Sequence, residues 1–286
     1  MSDVSLIRVF VRNGHGGNPV PLVADAQGMS AAAMQAVAAE YGHESSFVLP
    51  SAVGCDWRFR FFVPQHEMEM CGHATVGTLW ALRQWGRWTT PTARIETLSG
   101  VVHARWDEAL QRAWISQPAV RTQALDTPAS ARVAHQLRLP AGAWPMTNAA
   151  TSRVKTLVAL PSVAMLDGLQ PDFATMEPLC ESIGSTGLYP YALGARQADG
   201  RLTVHARQFP KASGYPEDAA TGIAAAALWG YLAAEGELGA GPDAAIAVWQ
   251  GDAMGSPSEI LVAPRVDAHG LADGCWLSGQ AAWGER

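Results

Sequence analysis

The chain has 286 residues, of which 48% are hydrophobic and 16% charged, with 11 tryptophans and a formal net charge of −6. This composition excludes an intrinsically disordered chain, because disorder requires low hydrophobicity and high net charge. It also argues against a nucleic-acid partner, which requires clustered Lys and Arg. No apolar run reaches the roughly 18 residues of a membrane helix. The first residues lack the pattern of a secretory leader, so we expect a cytoplasmic protein.

The four cysteines, Cys55, Cys71, Cys180 and Cys275, are far apart in the sequence and form no CxxC pair. Such scattered cysteines indicate neither a disulfide scaffold nor a zinc knuckle. We therefore expect free thiols, as in a reducing compartment.

In chain order, short runs rich in β-branched and aromatic residues predict the first strands. They lie at 6–11, 20–23, 47–49, 57–63, 94–96, 101–106 and 113–116. Ser30 is a suitable N-cap for a helix that ends near Gly42. A polar loop at 64–73 precedes an apolar helix predicted from Ala74 to about Arg87.

A Pro- and Ala-rich stretch from Gln117 to about Ser130 is predicted to be a linker or a domain edge. Further strands are then predicted at 154–160, 188–193 and 202–209, with a helix at 174–182. A second Ala-rich helix is predicted from Thr221 to about Glu235.

The order of strand, proline-led loop and apolar helix occurs twice. Pro64 precedes Thr75 by 11 positions, and Pro210 precedes Thr221 by the same interval, so the two copies are offset by 146 residues. A helix that is apolar all round is a buried helix. The repeat therefore predicts two related halves, each with strands wrapped around a central helix.

We expect one half at 1–116, completed by a strand at about 276–286, and the other at 117–275. Clefts between domains are favoured ligand sites, and helix N-termini attract anions. The loops at 65–73 and 211–221, which precede the two buried helices, are therefore expected to carry the chemistry.

Six segments, in this order, carry a family resemblance. They are Gly17-Asn18-Pro19-Val20, His43-Glu44-Ser45-Ser46-Phe47-Val48, Cys71-Gly72-His73-Ala74-Thr75-Val76-Gly77, Glu96-Thr97-Leu98-Ser99-Gly100, Glu217-Asp218-Ala219-Ala220-Thr221-Gly222, and Gln250-Gly251 with Met254-Gly255-Ser256-Pro257-Ser258. Together they resemble the PhzF family of phenazine-biosynthesis isomerase-like proteins. The resemblance covers nearly the whole chain. It implies an α+β fold of the diaminopimelate epimerase type, with two pseudo-repeated halves and the site between them.

The resemblance also implies an isomerase that transfers protons without a cofactor or metal, and a homodimer. Glu44 maps to the acid/base, His73 to the residue beside it, and Asp218 to a carboxylate in the opposite loop. The implied substrate-binding positions are His43, Cys71, Gly72, Ala74, Thr75, Thr221, Gly222 and Ile223. By residue type alone, Glu44 would be an exposed carboxylate, His73 a polar residue at a helix start, and Asp218 a helix N-cap.

Cys71 is compatible with a second type of reaction. In the related epimerases and racemases the first catalytic thiol precedes a glycine, as Cys71 precedes Gly72 here. A helix N-terminus can lower a thiol pKa and make it a base, which would allow a racemase or epimerase that uses Cys71 with Glu44 or Asp218. The second loop holds no cysteine, which favours a packing role for Cys71. A catalytically silent binding protein of the same fold is a third alternative.

A zinc site was also considered, because His66, Glu69, Cys71 and His73 are all potential ligands. The alternating positions 69, 71 and 73 would share one face of an extended segment. The second half has no comparable cluster, and the resemblance implies metal-free chemistry, so no metal is predicted.

Two positions depart from the family members that isomerise the phenazine precursor. His43 replaces a serine, and Ile223 replaces a small hydroxyl residue. A site that lacks a hydrogen-bond donor rejects a substrate that needs it. We therefore expect another small carboxylate or amino-acid-like substrate.

Overall fold

The computed structural model describes residues 3–239, 244–267, 269–270 and 272–285. The chain divides into two compact units, one formed by residues up to Gln117 together with those from Trp276 onward, and the other by Pro118–Cys275. Among the residues described, no helix has the length and apolar character needed to cross a membrane.

The first unit contains nine short strands and two helices among its described residues. The strands are β1 Val4–Val9, β2 Asn18–Val23, β3 Ser45–Leu49, β4 Trp57–Phe62, β5 Glu67–Met68, β6 Thr92–Thr97, β7 Gly100–Asp107, β8 Arg112–Gln117 and β18 Ala281–Trp283. The helices are α1 Ala31–Tyr41 and α2 Gly72–Gln84. β1 lies between β2 and β18 and is antiparallel to both.

Helix α2 is the central helix of this unit. It contacts β1, β2, β3, β8 and β18, and every residue from Gly72 to Leu79 is buried. Gly77 allows the closest approach, because a Cβ atom there would overlap the Val9 side chain on β1. Helix α1 is mostly exposed and buries Met34 and Ala38 against the sheet.

The second unit has its own strands and helices. The strands are β9 Arg121–Ala124, β10 Met146–Ala150, β11 Val154–Leu160, β12 Gly187–Arg196, β13 Leu202–Ala206, β14 Phe209–Pro210, β15 Ile246–Gln250, β16 Ser258–Val266 and β17 Ala272–Ser278, which continues into the first unit from Trp276. The helices are α3 Thr127–Gln136, α4 Val163–Asp167, α5 Met176–Ser182 and α6 Gly222–Ala234. The apolar α6 contacts β10, β11 and β16.

Strand pairing confirms the predicted repeat. Along β1, β2, β3, β4, β6 and β7 the neighbours pair antiparallel, parallel, antiparallel, parallel and antiparallel. The same order recurs along β10, β11, β12, β13, β15 and β16. Each unit therefore repeats one α+β motif, with its buried helix placed between the fourth and fifth of these strands.

Three details differ from the sequence-based expectation. Helix α2 begins at Gly72, two residues earlier than predicted, so that His73 lies inside the helix. The first residues of the two buried helices, Gly72 and Gly222, are 150 positions apart instead of 146, because the second loop is longer. The stretch at 117–130 begins at the boundary between the two units, as expected of a domain edge, but it is not a linker, since it contains β9 and the start of α3.

Candidate functional site

Glu44 and His73 meet in the first unit. The Nε2 atom of His73 lies 3.2 Å from Oε2 of Glu44, and the two side chains are 5% and 15% exposed, respectively. Glu44 directly precedes β3, and His73 is the second residue of α2. The packing of β3 against α2 therefore places a largely buried carboxylate against an imidazole.

Cys71 extends this pair. Its Sγ atom lies 3.4 Å from Nδ1 of His73 and 4.0 Å from Nε2. Cys71 is the N-cap residue of α2, but its side chain does not cap the helix. The thiol, imidazole and carboxylate form one cluster, which we call the Glu-Cys-His cluster (Glu44, Cys71 and His73).

The backbone around the cluster is fixed by buried hydroxyl groups. Thr78 on α2 donates a hydrogen bond of 2.8 Å to Ser46 on β3. Thr75 donates to the carbonyl of Cys71 at 2.7 Å. Of the predicted substrate-binding residues here, Gly72, Ala74 and Thr75 are buried in the first turn of α2. The structure thus shows Thr75 supporting the helix start.

His43 lies beside Glu44 in the sequence and is exposed. Its pKa is lowered from the usual histidine value, first because its ring loses hydration and second because the Arg8 guanidinium carries a like charge. Arg8 is held in turn by a hydrogen bond of 2.6 Å from its Nε to the carbonyl of Gly16. Both effects favour the neutral form of His43.

In the second unit, Asp218 belongs to a network at the start of α6. Thr221 donates a short hydrogen bond to the Asp218 carboxylate. The Nε2 group of Gln250 donates to the Asp218 carbonyl at 2.6 Å and to the Thr221 hydroxyl at 3.1 Å. The buried Tyr189 hydroxyl donates to Oε1 of Gln250 at 3.0 Å.

The N-cap of α6 is Thr221, so the alternative reading of Asp218 as a helix cap is wrong. Thr221 occupies the same position in α6 that Cys71 occupies in α2, since each is an N-cap followed by glycine. The predicted residues Gly222 and Ile223 form the first turn of α6 and are buried.

Two arginine–glutamate pairs went unnoticed in the sequence. Arg60 binds both carboxylate oxygens of Glu67, at 2.6 and 2.7 Å. Arg207 binds both oxygens of Glu217, at 2.8 and 2.7 Å. We call these the arginine forks. The first fork joins β4 to β5, and the second joins the residue after β13 to the loop before α6.

A sequence signal for the forks exists. Each arginine is followed two positions later by a phenylalanine on which its guanidinium lies, Phe62 at 5.1 Å in one unit and Phe209 at 4.9 Å in the other. The repeated Arg-x-Phe, with a glutamate ahead of the helix, could have revealed both pairs.

The zinc-ligand set considered from the sequence is only partly assembled. His66 and Glu69 are exposed, whereas Cys71 and His73 are buried. Among the described residues, Cys71 and His73 come together instead with Glu44, whose carboxylate is also a potential metal ligand.

Comparisons with known proteins agree with this architecture. The family model described as phenazine biosynthesis-like protein matches residues 7–283. A Deinococcus radiodurans protein named "Uncharacterized isomerase" is 34% identical over 93% of this chain and 88% of its own length. A Pseudomonas chlororaphis protein named trans-2,3-dihydro-3-hydroxyanthranilate isomerase is 31% identical over 96% of this chain and 92% of its own.

Solved structures show the same fold. A Bacillus anthracis PhzF-family protein superposes with a TM-score of 0.85 at 26% identity, covering 99% of this chain and 96% of that one. A probable proline racemase from Agrobacterium radiobacter, at 14% identity, shares the fold with a TM-score of 0.62, covering 98% of this chain and 90% of that one. With the family model matching from residue 7 to residue 283, and the repeated α+β motif found in both units, this chain belongs to the PhzF family of phenazine biosynthesis-like proteins.

Proposed function

We propose that this protein is a cofactor-independent isomerase in which Glu44 removes a proton from one carbon of a small substrate and returns it to another. The contact of 3.2 Å between Glu44 and His73 carries this proposal. A general base works best when it is partly shielded from water and held within hydrogen-bond reach of a partner. The isomerase names of the relatives support the reaction class.

The cluster offers a path for the returning proton. Once Glu44 has taken a proton from the substrate, its carboxyl group can donate that proton to Nε2 of His73, 3.2 Å away, and Nδ1 of the same ring lies 3.4 Å from the Cys71 Sγ. When Nε2 accepts the proton from Glu44 and Nδ1 releases its own proton to the second carbon, Glu44 returns to the carboxylate form and the imidazole is left in its other tautomer, without net charge on the ring. We assign His73 the role of proton relay.

We assign Asp218 the role of orienting the substrate by accepting a hydrogen bond from its hydroxyl or amine. The Thr221 hydroxyl and the Gln250 amide hold this carboxylate and its backbone in place. The N-cap side chains of α2 and α6 make no capping hydrogen bond, and a helix N-terminus suits the binding of a substrate carboxylate.

The proposed substrate is a small carboxylate or amino-acid-like molecule. The Pseudomonas chlororaphis relative is named for its action on trans-2,3-dihydro-3-hydroxyanthranilate. His43 and Ile223 argue against that substrate here, because an imidazole at position 43 and an apolar side chain at position 223 replace two hydroxyl groups. We also propose that the protein is a homodimer, as the family resemblance implies, and that it works in the reducing cytoplasm, which suits its four free cysteines.

Hydrogen exchange tests the proposal. The protein is incubated in deuterated water with a panel of small carboxylates, and proton NMR identifies the carbon that gains deuterium. Glu44→Gln keeps the shape of the side chain but removes the base, so exchange should fall by at least about 100-fold. Glu69→Gln, which changes an exposed glutamate of the loop before α2, serves as the control. Near wild-type turnover in Glu44→Gln would end the proposal.

A racemase or epimerase that uses Cys71 is the second candidate. Its support is the position of the thiol at the N-cap of α2, against the imidazole. Loss of exchange at a stereocentre in Cys71→Ser, with inversion of configuration in the wild type, would favour it. Absence of exchange with every acid that binds would favour a silent binding protein.

A further inference from the structure

We propose that the Glu-Cys-His cluster binds a soft divalent cation, with Zn²⁺ the best fit, and that the bound ion blocks proton transfer. The three residues offer a sulfur, a nitrogen and an oxygen ligand, and these atoms all lie within 4.8 Å of one another. Three protein ligands with one open position are typical of accessible zinc sites.

The distances are close to those of a bound ion. In a tetrahedral site with zinc–ligand bonds of about 2.0 to 2.3 Å, neighbouring ligand atoms are about 3.3 to 3.6 Å apart. His73 Nε2 is 3.2 Å from Glu44 Oε2 and 4.0 Å from Cys71 Sγ. Side-chain rotations that move atoms by about 1 Å would complete this geometry.

The ligands are also held by rigid elements. Cys71 and His73 flank Gly72 at the start of a buried helix, and the Thr78–Ser46 hydrogen bond ties that helix to the strand that follows Glu44. Ligands that are ordered before binding lose little conformational entropy when an ion arrives.

The ligand set determines which ion is favoured. Thiolate and imidazole select zinc and related transition metals, whereas magnesium and calcium require mainly oxygen ligands. Binding requires the deprotonated thiol, so the Cys71 proton is released to solvent and no oxidation or reduction occurs. The ion then occupies the carboxylate and imidazole that the proposed reaction uses. This inhibitory consequence rests on the proposed function, whereas the binding site itself does not.

Calorimetric titration of the full chain tests the site. The chain is first freed of metal and kept under a non-chelating reductant, and ZnCl₂ and MgCl₂ are then titrated in turn. We expect one Zn²⁺ per chain and no binding of Mg²⁺. Cys71→Ser should weaken Zn²⁺ binding by more than about tenfold, since even supporting residues of metal sites contribute that much. Cys55→Ser, which alters a half-buried thiol outside the cluster, should bind as the wild type does.

CoCl₂ provides a second readout, because a thiolate ligand gives a charge-transfer band that Cys71→Ser should lack. If Cys71→Ser is unstable, Glu44→Gln tests the same site by the loss of its oxygen ligand. Equal Zn²⁺ affinity in the wild type and in either variant would overturn the inference, as would an absence of binding. If Zn²⁺ binds through the cluster while Glu44→Gln keeps full turnover, the proposed function fails and the metal site stands.

Discussion

Arg207 and Glu217 form the more deeply buried of the two arginine forks, with both side chains only 10% exposed. The Nη1 group of Arg207 also donates to the carbonyls of Leu166, Asp167 and Leu169 at 3.0 to 3.2 Å. One guanidinium therefore ties the C-terminal end of α4 to the residue directly before Asp218. We regard Arg207 as a positioning residue for the proposed site.

Arg207→Met should destabilise the protein markedly. Loss of the guanidinium leaves the Glu217 carboxylate buried without its cation, which typically costs about 3 to 5 kcal/mol. Arg60→Met, in the fork whose side chains are 17% and 24% exposed, is the matched variant and should cost less. Urea unfolding measures both free energies, and an equal loss in the two variants would contradict this explanation.

Gln208→Met should stabilise the protein. The Gln208 side chain is buried, and neither of its amide atoms has a hydrogen-bond partner among the described residues. Each unsatisfied buried polar group costs about 1 to 3 kcal/mol, and an apolar side chain of similar length removes that cost. We therefore expect the free energy of unfolding to rise by roughly 1 to 3 kcal/mol.

The matched control for that change is Gln136→Met. Gln136 is also buried, but its amide donates to the carbonyl of Asp172 and accepts from the Thr175 hydroxyl. Its replacement should therefore lower stability. If both variants change the free energy of unfolding in the same direction, the hydrogen bonding of the buried amides does not explain the change.

His43 should make stability depend on pH. Its pKa in the folded protein lies below the ordinary value of 6.5, so the unfolded chain takes up the proton first as the pH falls. Stability is therefore complete above about pH 6.5 and is lost as the pH falls toward the folded pKa. Urea unfolding at about pH 8 and pH 5.5 should show a smaller pH dependence in His43→Asn than in the wild type.

NMR titration of His43 separates the two causes. In Arg8→Gln the pKa should rise only part of the way to its ordinary value, because lost hydration contributes more than the Arg8 charge. Full recovery of the pKa in Arg8→Gln would show that charge dominates.

Three of the four thiols should differ sharply in reactivity. Burial raises the pKa of Cys180 to about 11 and that of Cys275 to about 12, and neither residue is exposed to solvent. Because the thiolate is the reactive form, we expect iodoacetamide at about pH 8 to spare both in the folded protein and to modify the half-buried Cys55. Mass spectrometry before and after denaturation measures this, and equal labelling of Cys275 and Cys55 would contradict it.

Local signals in the sequence predicted local structure well. Ser30 caps α1 by accepting from the backbone N–H of Ala33, and Gly42 ends it in the left-handed region at φ 69°. Both outcomes depend on a few neighbouring residues and on stereochemistry that single residue types determine.

The wrongly predicted linker shows the limit of such signals. Asp126 caps α3 through the N–H of Ala129, and Pro128 occupies the first turn. Proline lacks an N–H that this turn would leave unbonded in any case, so it suits a helix start as well as a linker. Composition alone could not distinguish the two.

The spacing of residues in the sequence also does not predict the contacts of the candidate site. The motifs identified Glu44 and His73 individually, but their contact depends on β3 packing against α2. Likewise, the bond between Tyr189 and Gln250 joins residues 61 positions apart. Tertiary packing determines which side chains share a buried network, and no short sequence pattern predicts it.

Pairing of β1 with β18 has a consequence for how the protein is made. The second unit consists of consecutive residues, whereas the first is assembled from both ends of the described chain. During synthesis, the second unit is therefore polymerised before the strand that completes the first unit. In the unit that carries Glu44 and His73, the edge of β1 that pairs with β18 therefore stays unpaired until β18 has been synthesised.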